Sequence, residues 1–381
     1  MKILHVTPSY KPAFVYGGPT LSVSQLCEHQ AAIGEEVTVI STTANGLAEL
    51  PSGQLLLEGV KVQYFKRITG DHTHYSPALL RYLWKYCRAY DIIHIHSWWN
   101  LVSVLAALIC WLKGIQPILS PRGMLSNFTF TQGNSIKKKI IHHVGGKWLL
   151  KQTILHATSQ LEWQDASVVH SEWKGFILPN IIDLPTKNFP RTTSSSTLRI
   201  VFLSRIHTKK GLELAMRALA QCDFPFQLEI YGDGDKEYIN RLKDLAIALK
   251  IDSSMMWKGW VAGEAKYNAL ANAHLFILTS YNENFANVVL ESLSVGTPVL
   301  VSKQVGMYDY VERSGSGWVC ELSVDSIKRT VEDAYAQFNK IIVDVPQVYH
   351  DFDGTYLSKL YINEYQQKSH ASKVDYHHSN V

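Results

Sequence analysis

Short apolar runs alternate with longer amphipathic stretches along the first half of the chain. KILHV at 2–6 has the length and composition of a buried strand, and Thr7-Pro8 ends it. The stretch after Pro19 repeats its apolar positions with helical spacing and stops at Gly34, where a glycine suits a helix C-cap. Strands that alternate with helices indicate a parallel sheet covered by helices. The same pattern predicts further strands at 36–42, 91–97 and 116–123, and a buried helix at 101–113.

The pattern breaks once and then starts again. Residues 183–197 contain prolines and a Ser/Thr run without periodicity, which is typical of a linker. A chain of 381 residues is too long for one core of ordinary size, so the sequence predicts two successive α/β domains. The second half has predicted strands at 198–204, 226–232, 274–280 and 298–303, with amphipathic helices between them, one of which covers 285–296.

Composition and charge exclude several classes of protein. A hydrophobic fraction of 46% is typical of a globular chain, and a net charge of +4 does not require nucleic acid as a partner. The five cysteines form no C-x-x-C pair, so neither a zinc site nor a redox motif is indicated. No apolar run reaches the ~18 residues of a membrane span, and the N-terminal run is too short for a signal peptide. We expect a cytoplasmic protein, either soluble or peripheral on a membrane.

Polar residues that follow the predicted strands are the candidates for a site, because ligands of parallel α/β sheets bind beyond the carboxyl ends of the strands. Arg205 and Lys210 follow the strand at 198–204 and enter a helix. Two cations at this place suit a diphosphate, and a solvated helix start is an equal alternative. Gly17 and Gly18 lie between a strand and a helix, where glycine lets the backbone approach an anion, although a plain turn is the simpler interpretation.

Two histidines, His94 and His96, point to the same side of the strand at 91–97. A metal pair is conceivable, but no cysteine or carboxylate of suitable spacing accompanies them. We expect one ring to be packed, and His96, which is nearer the strand end, to be the candidate for a substrate hydroxyl or a developing charge.

Two D-x-D tripeptides are candidates for a metal site. Asp233 with Asp235, and Asp351 with Asp353, could each hold a cation on a sugar nucleotide. The first pair lies in a Gly-rich turn, where aspartate is frequent for local reasons. We therefore predict no metal site.

Glu283 and Glu291 bracket the loop and the start of the helix at 285–296. Both carboxylates can face one cleft, but they lie about 12 Å apart along the helix axis. This separation does not suit two acids that flank one glycosidic bond. It suits two parts of one extended ligand, and the alternative is a capping acid followed by an exposed one.

These motifs together resemble family 4 of the retaining glycosyltransferases. That family has the GT-B fold, an α/β architecture of two Rossmann-like domains. The element at 120–125 is similar to members that build bacterial surface polysaccharides. The motifs, in order, are Y-G-G-P at 16–19, D-x-x-H-x-H at 91–96, S-P-R-G-M-L at 120–125, P-N-I-I-D at 179–183, S-R-x-x-x-K-K-G at 204–211, G-D-G-D at 232–235, E-x-F-x-x-x-x-x-E at 283–291 and V-G-T-P-V at 295–299.

The resemblance implies a donor site for a nucleoside-diphosphate sugar, with no further cofactor and no metal. Arg205 and Lys210 would hold the diphosphate and stabilise the departing nucleotide, Glu291 would bind the ribose, and Glu283 would contact the sugar. The resemblance further implies backbone contacts to the donor from Phe285, Ala286, Asn287 and Val288, room for the diphosphate at Gly17 and Gly18, a place for His96 near the reacting carbon, and an acceptor contact at Arg122.

The resemblance also implies how the domains are divided. An N-terminal domain would cover 1–182 and be completed by a C-terminal helix at 351–368. The linker at 183–197 would lead to a nucleotide-sugar domain at 198–350, and 369–381 would form a flexible tail. The sequence departs from the family at Ala286, where glycine is common, so an added methyl could crowd the donor sugar.

The implied reaction is transfer of a hexose to a glycan or lipid-linked acceptor with retention of configuration. A GT-B protein that only binds nucleotide or glycan is the alternative, and a metal-dependent transferase is a third hypothesis. A nicotinamide-dependent oxidoreductase fits two α/β domains but lacks its glycine fingerprint.

The segment 136–151 mixes five lysines with Ile, Val, Trp and Leu. Such a face can bind an anionic membrane surface, and lipid-linked acceptors favour that interpretation. An ordinary basic surface around a packed helix is the alternative.

Overall fold

The computed structural model describes residues 1–70, 73–126, 128–129, 145–191 and 196–378. The chain forms two compact units. Unit 1 contains Met1–Asp183 together with Phe352–Val381, and unit 2 contains Leu184–Asp351. The first unit is therefore discontinuous in sequence.

Unit 1 is built on a parallel sheet with one antiparallel strand, β5, at its edge. Along this sheet the strand order is β10-β9-β8-β7-β1-β2-β6-β5, while β3 pairs only with β4. The central strands β1 and β7 are almost wholly buried, which explains their near-continuous apolar sequence. The strands are β1 (Lys2–Val6), β2 (Glu36–Thr42), β3 (Ala44–Asn45), β4 (Ala48–Glu49), β5 (Gly53–Leu57), β6 (Val60–Phe65), β7 (Ile92–His96), β8 (Ile118–Ser120), β9 (Ile154–Ala157) and β10 (Gly175–Ile177).

The helices of unit 1 begin at residues that suit an N-terminus. Asn100 caps α3 by accepting a hydrogen bond from the Ser103 amide at 2.9 Å, and Ser159 caps α5 in the same way from Glu162 at 3.1 Å. Helix α3 is the predicted apolar helix, and it packs beside α2. The helices are α1 (Gly18–Ala32), α2 (Pro77–Tyr86), α3 (Leu101–Leu112), α4 (Lys147–Leu150) and α5 (Gln160–Val169).

Unit 2 contains a wholly parallel sheet of order β13-β12-β11-β14-β15-β16. This is a doubly wound topology. Successive strands are added toward one edge from β11 to β13 and toward the other edge from β14 to β16, so the strand order reverses between β11 and β14, the place where such sheets bind ligands. The strands are β11 (Leu198–Leu203), β12 (Phe226–Tyr231), β13 (Met255–Gly259), β14 (Leu275–Leu278), β15 (Val299–Ser302) and β16 (Gly317–Cys320). The helices are α6 (Leu212–Leu219), α7 (Lys236–Ala248), α8 (Gly263–Ala271), α9 (Asn287–Ser294), α10 (Tyr308–Ser314), α11 (Val324–Gln337) and α12 (Val345–Asp351).

The C-terminal helix α13 (Gly354–His378) belongs to unit 1, where it packs against α1. Tyr361 and Tyr365 on this helix are fully buried. Gly354 lies so close to the His29 ring that an added Cβ would come within 2.3 Å of it. The core of unit 1 is thus completed by residues from the far end of the chain.

The predicted strands are all present. Two have the predicted bounds, five are one to three residues shorter, and the strand predicted at 116–123 covers only Ile118–Ser120. Strands β3, β4, β5, β6, β9, β10, β13 and β16 were not predicted, because they are short or lack a clear alternation. Most of the basic segment, 136–144, lies outside the described residues, and its last part forms α4. Within the described parts of the chain, no helix is long and apolar enough to cross a membrane.

Candidate active site

The loops that follow β11, β14 and β15 are joined by hydrogen bonds at the switch point of the unit 2 sheet. The Tyr281 amide donates to the Lys209 carbonyl at 2.9 Å, which joins the first loop to the second. The Glu283 amide donates to the Gln304 carbonyl at 2.9 Å, and the Gly306 amide donates to the Glu283 carbonyl at 2.8 Å. The predicted residues after these strands therefore occupy one rigid edge of the sheet.

Gly211 allows the first two of these loops to approach each other. Its φ is +67°, a left-handed conformation that side chains rarely adopt, and a Cβ there would lie 1.9 Å from the Thr279 carbonyl oxygen. The Thr279 hydroxyl donates to the Gly211 carbonyl at 2.8 Å. A glycine is needed here for two separate reasons, and it immediately follows Lys210.

Four basic side chains gather in the first loop: Arg205, His207, Lys209 and Lys210. Burial, followed by repulsion from the three neighbouring cations, lowers the pKa of His207. Burial also lowers the pKa of Lys209, as do Lys210 and Arg205, while Glu283 opposes the shift. These directions show that the loop holds excess positive charge, which a bound anion would stabilise.

The two glutamates each contact a different lysine. Lys210 Nζ forms an ion pair with the Glu283 carboxylate. Lys266, on α8, forms an ion pair with Glu291 at 2.7 Å, and the Glu291 side chain is only 8% exposed. Lys210 is predicted to face a phosphate. Lys266 is not predicted from the sequence, because it lies 25 residues away from Glu291 along the chain.

The N-terminus of α9 points its amides out of this edge without a side-chain cap. Its N-cap is Ala286, which has φ 68° and ψ 71°, in the left-handed region. Phe285 and Ala286 are buried, so the turn is held by packing. Backbone amides at a helix N-terminus are suited to an anion, and here they lie on the element that also carries Glu291.

Both D-x-D pairs have structural partners. Asp235 caps α7 by accepting from the Tyr238 amide at 2.8 Å, and Asp233 accepts from the Gly234 amide at 2.8 Å. Asp351 accepts from the Tyr310 hydroxyl at 3.0 Å, and Asp353 accepts from the Tyr356 amide at 2.6 Å. Each of these four carboxylates thus accepts a hydrogen bond within the fold, and the absence of a metal at either pair stays a prediction.

In unit 1, Gly17 immediately precedes α1. Its φ of 76° and ψ of −143° are accessible to glycine, and an added Cβ would meet nothing within 4 Å. The glycine is therefore required by conformation and not by a close neighbour. Gly18 begins the helix, and α1 has no side-chain cap.

His94 and His96 belong to a buried chain of hydrogen bonds whose direction is set at both ends. Arg122 can only donate, and its Nη2 lies 3.4 Å from His96 Nδ1, so His96 must donate from Nε2 to His5 Nδ1 at 2.9 Å. His5 Nε2 then donates to Gln30 Oε1 at 2.8 Å, and Gln30 Nε2 donates to the Tyr365 hydroxyl at 3.3 Å.

The same direction continues to the other end of this histidine chain. The Tyr365 hydroxyl donates to His94 Nδ1 at 2.7 Å, His94 Nε2 donates to Ser120 Oγ at 2.6 Å, and Ser120 donates to His156 Nδ1. His156 Nε2 donates to the Leu178 carbonyl at 3.0 Å, and a carbonyl can only accept. Arg122 at one end can only donate and the Leu178 carbonyl at the other can only accept, and both require the same direction of hydrogen bonding. One tautomer is therefore assigned to each of the four histidines.

Burial keeps these four rings neutral. It lowers the pKa of His5 to about 4 and that of His156 to about 3, with the Arg122 cation adding to both shifts. Burial lowers the pKa of His94 and of His96 as well, and neighbouring rings and Arg122 act in the same direction. The expectation that only one of His94 and His96 is packed was wrong, since both are buried.

Arg122 is also buried, with 8% exposure and a φ of 56°. It donates to Ser22 Oγ at 3.2 Å and to Asn180 Oδ1. Burial lowers the pKa of its guanidinium. An acceptor contact of Arg122 and a substrate contact of His96 stay predictions, and each would compete with the bonds that these side chains make here.

A metal at the histidines would have to displace existing contacts. Ligand nitrogens of His5, His94 and His96 lie within 4.8 Å of one another. In the described structure both ring nitrogens of all three histidines are hydrogen-bonded, and the Arg122 cation is adjacent. These residues fit a hydrogen-bonded core better than a metal site.

Four members of this histidine chain are not predicted from the sequence: His5, Gln30, His156 and Tyr365. His5 interrupts an otherwise apolar strand and could have been noticed there. Its partners are 25 and 91 residues away, and only the fold brings them together.

Two family models match the chain, one on each unit. Residues 16–173 match the model described as Glycosyltransferase Family 4, and residues 186–340 match the model described as Glycosyl transferases group 1. Together the two models cover most of both units.

Curated relatives carry related names. The chain is 25% identical to an uncharacterized glycosyltransferase of Methanocaldococcus jannaschii, over 96% of this chain and 98% of that protein. It is 22% identical to the D-inositol 3-phosphate glycosyltransferase of Pseudarthrobacter chlorophenolicus, over 80% and 78% respectively. A shorter region, 32% of each chain, is 30% identical to the amylovoran biosynthesis glycosyltransferase AmsK of Erwinia amylovora.

Solved structures share the fold. The sucrose-phosphate synthase of Thermosynechococcus elongatus superposes with a TM-score of 0.70 at 16% identity, over 97% of this chain and all of that chain. Anabaena HepE, solved with UDP and glucose, gives a TM-score of 0.68 at 18% identity, over 95% and 98%. The predicted α/β fold of two Rossmann-like units, GT-B, is confirmed by these matches.

Proposed function

The chain belongs to the family 4, group 1 glycosyltransferases of the GT-B fold, and from this premise we propose a specific reaction. A hexose is transferred, with retention of configuration and without a metal, from a nucleoside-diphosphate sugar to a glycan or lipid-linked acceptor. The pathway is that of a surface polysaccharide such as an O-antigen, capsule or exopolysaccharide. The protein acts in the cytoplasm, at the inner face of the cell membrane.

One observation in unit 2 carries the proposal. The cationic loop with Arg205, Lys209 and Lys210 lies at the switch point of the sheet, next to the uncapped start of α9. Each feature alone suits an anion, and their combination suits a diphosphate, which presents two adjacent anionic groups. The complexes of HepE with UDP and with UDP-glucose support a nucleotide donor.

We assign to the side chains the roles that the family resemblance implies, and their positions support this assignment. Arg205 is exposed and can form a bidentate contact with phosphate, while Lys210 exchanges part of its contact with Glu283 for the diphosphate. Glu291, held by Lys266, accepts from the ribose hydroxyls. Glu283 then accepts from a hydroxyl of the transferred sugar.

The reaction balances without a covalent enzyme intermediate. The bond between the anomeric carbon and the phosphate oxygen breaks, and the acceptor oxygen bonds to that carbon on the same face. The acceptor proton passes to the departing diphosphate. Arg205, Lys210 and the α9 amides stabilise the negative charge that develops on that diphosphate, so they act mainly in the transition state.

A thermal-shift screen of nucleoside diphosphates and their hexose conjugates tests the donor site. A ligand at 100 times its Kd should stabilise the protein by about 2.7 kcal/mol. Lys210→Ala and Glu291→Ala should abolish that stabilisation. Lys187→Ala, which breaks the exposed ion pair with Glu264 in the same unit, is the matched control and should retain it. Retained stabilisation in both site variants would contradict the assignment.

A second candidate is a protein that binds nucleotide or glycan without turnover. Ala286 favours it, because its methyl lies at the turn that leads to the donor amides. Release of nucleoside diphosphate from a bound donor, measured with and without lipid-linked acceptors, separates the two. Stabilisation by nucleotide together with no release under any condition would favour the second candidate.

A further inference from the structure

Unit 1 exposes an aromatic surface that its core does not explain. Trp84 on α2, Trp111 at the end of α3 and Trp148 on α4 are exposed by 47%, 41% and 44%. Tyr86 and Leu112 are exposed beside them. Large apolar side chains grouped on several elements mark an interaction site more often than isolated ones do. We call this group, with the basic residues described next, the aromatic–basic surface.

Contacts join these side chains into one patch. The Trp111 and Trp148 rings meet edge to face with centroids 4.7 Å apart. Lys113 Nζ lies 3.7 Å from the centroid of the Trp84 ring, and Arg88 donates to the Lys113 carbonyl at 3.3 Å. The three helices therefore present a continuous face in which cations sit against aromatic rings.

The charge of this surface has one sign. Its three segments, 77–90, 101–116 and 145–152, contain no aspartate or glutamate. The basic residues in these segments are Arg81, Lys85, Arg88, Lys113, Lys147 and Lys151.

The imbalance extends along the sequence. From 72 to 161 the chain has ten Lys and Arg residues and one acid, Asp91, a charge of +9. The whole chain carries +4, so the remainder carries −5. The Asp91 carboxylate accepts a hydrogen bond from the Lys2 amide at 2.8 Å, in the strand region of the unit. The positive charge is therefore concentrated in one part of the sequence of unit 1.

We infer that the aromatic–basic surface binds an anionic lipid membrane. Indole and phenol rings prefer the boundary between headgroups and acyl chains, and lysine places its stem there while its ammonium stays in water. Each lysine near an anionic leaflet strengthens binding about fivefold. A nucleic acid could bind the positive charge of this surface, but unlike a membrane it offers no apolar environment to the exposed Leu112 side chain.

This inference rests on the proposed function, because a lipid-linked acceptor would lie in the membrane that this surface binds. It also relocates the predicted membrane segment. The described part of 136–151 supplies Lys147, Trp148 and Lys151, and helices α2 and α3 supply the rest of the surface.

Vesicle sedimentation tests the inference with the full-length protein. Vesicles of phosphatidylcholine alone are compared with an equal mixture of phosphatidylcholine and phosphatidylglycerol. The wild-type protein should pellet with the anionic vesicles only, with tryptophan fluorescence shifted to the blue. Added salt should weaken the binding. Equal recovery in the supernatant with both vesicle types would overturn the inference.

Matched variants separate this surface from net charge and from nonspecific insertion. Lys85→Glu with Lys113→Glu should weaken binding by at least 25-fold, since each change removes one cation that strengthens it about fivefold. Lys236→Glu with Lys258→Glu changes the net charge equally but lies on unit 2 and should have little effect. Trp111→Ser with Trp148→Ser should abolish binding, whereas Trp260→Ser, at a 71% exposed position, should not. Equal losses in surface and control variants would overturn the inference.

Two further readouts keep the result unambiguous. Circular dichroism and the nucleotide thermal shift should be unchanged in the surface variants, which shows that they fold and bind donor. Binding to heparin without binding to anionic vesicles would assign the surface to a soluble polyanion and overturn the lipid proposal. If the wild-type protein is stabilised by nucleotide but does not bind anionic vesicles, the lipid inference fails and the proposed function stands. If it binds anionic vesicles but is not stabilised by nucleotide, only the proposed function is refuted.

Discussion

Acidification from pH 7 to pH 5 should destabilise unit 1 more than unit 2, because unit 1 buries four histidines of lowered pKa and in unit 2 the pKa of the exposed His207 is lowered. The pKa values of His5 and His156 are about 4 and 3 in the folded protein, against 6.5 for an ordinary histidine. Below pH 6.5 the unfolded chain therefore takes up protons that the folded unit does not. Because the unfolded state binds more protons, a falling pH stabilises it relative to the folded state, and the free energy of unfolding decreases across this window.

The size of the effect follows from the pKa values. At pH 5 each of these two rings should cost about 2 kcal/mol, since one pKa unit corresponds to about 1.36 kcal/mol. Burial raises the pKa of Asp165 to about 6, so this carboxyl takes up a proton in the folded state and offsets about 1 kcal/mol of that loss. His94 and His96 act with the same sign as His5, whereas His29, whose pKa is raised by its hydrogen bond to Asp183, acts in the opposite direction. A net loss of about 3 kcal/mol is large against a typical stability of about 5–15 kcal/mol.

Hydrogen exchange measured by mass spectrometry can assign the loss to one unit. Exchange rates are corrected for the intrinsic effect of pH, and peptides from β1 and β7 are compared with peptides from β11 and β14. The unit 1 peptides should lose protection at pH 5, and the unit 2 peptides serve as the internal control. Equal protection of β1 and β7 at the two pH values would refute the assignment of neutral buried histidines.

Other substitutions give further predictions. In urea unfolding, Gly211→Ala should destabilise unit 2 by about 3 kcal/mol, because its φ is left-handed and the new Cβ would clash with the backbone. Gly263→Ala should cost only about 1 kcal/mol, because its φ is also positive but the space around it is open. Similar costs for the two would contradict the clash. Ala286→Gly should change the free energy of unfolding by no more than about 1 kcal/mol. Glycine relieves the strain of the left-handed φ, but it removes a buried methyl group and increases the entropy of the unfolded chain. The same substitution should raise donor turnover. A decrease in turnover would show that the methyl is tolerated. Tyr365→Phe should cost about 2–3 kcal/mol by thermal unfolding, since it leaves Gln30 Nε2 and His94 Nδ1 without a hydrogen-bond partner, and a neutral result would argue against the histidine chain.

The fold class follows from sequence because each central strand is an apolar run bounded by a breaker. KILHV and DIIHIHS show the limits of this rule, since their histidines lie inside strands that are buried on both sides. Strands such as β9 and β16 are only four residues long, and their pairing is determined by neighbouring strands and not by their own pattern.

The two units differ in how much of the candidate site can be predicted. In unit 2 the charged residues follow strands directly, so Arg205, Lys210 and Glu283 are found from local order alone. Lys266 is missed because its contact with Glu291 depends on how α8 packs beside α9. In unit 1 the partners His94 and Tyr365 are 271 residues apart, and no local pattern connects them.

The return of α13 to unit 1 has a consequence for the order in which the protein is made. A ribosome synthesises residues 1–183 before unit 2, yet the hydroxyls of Tyr361 and Tyr365 that bond to the buried histidines emerge only after unit 2. Domains usually fold in the order of their synthesis. Here the middle of the chain, unit 2, is complete while the N-terminal unit still has unpaired histidines in its core. The 1–183 segment of unit 1 is thus translated before unit 2 but reaches its native state after it, once α13 has been made.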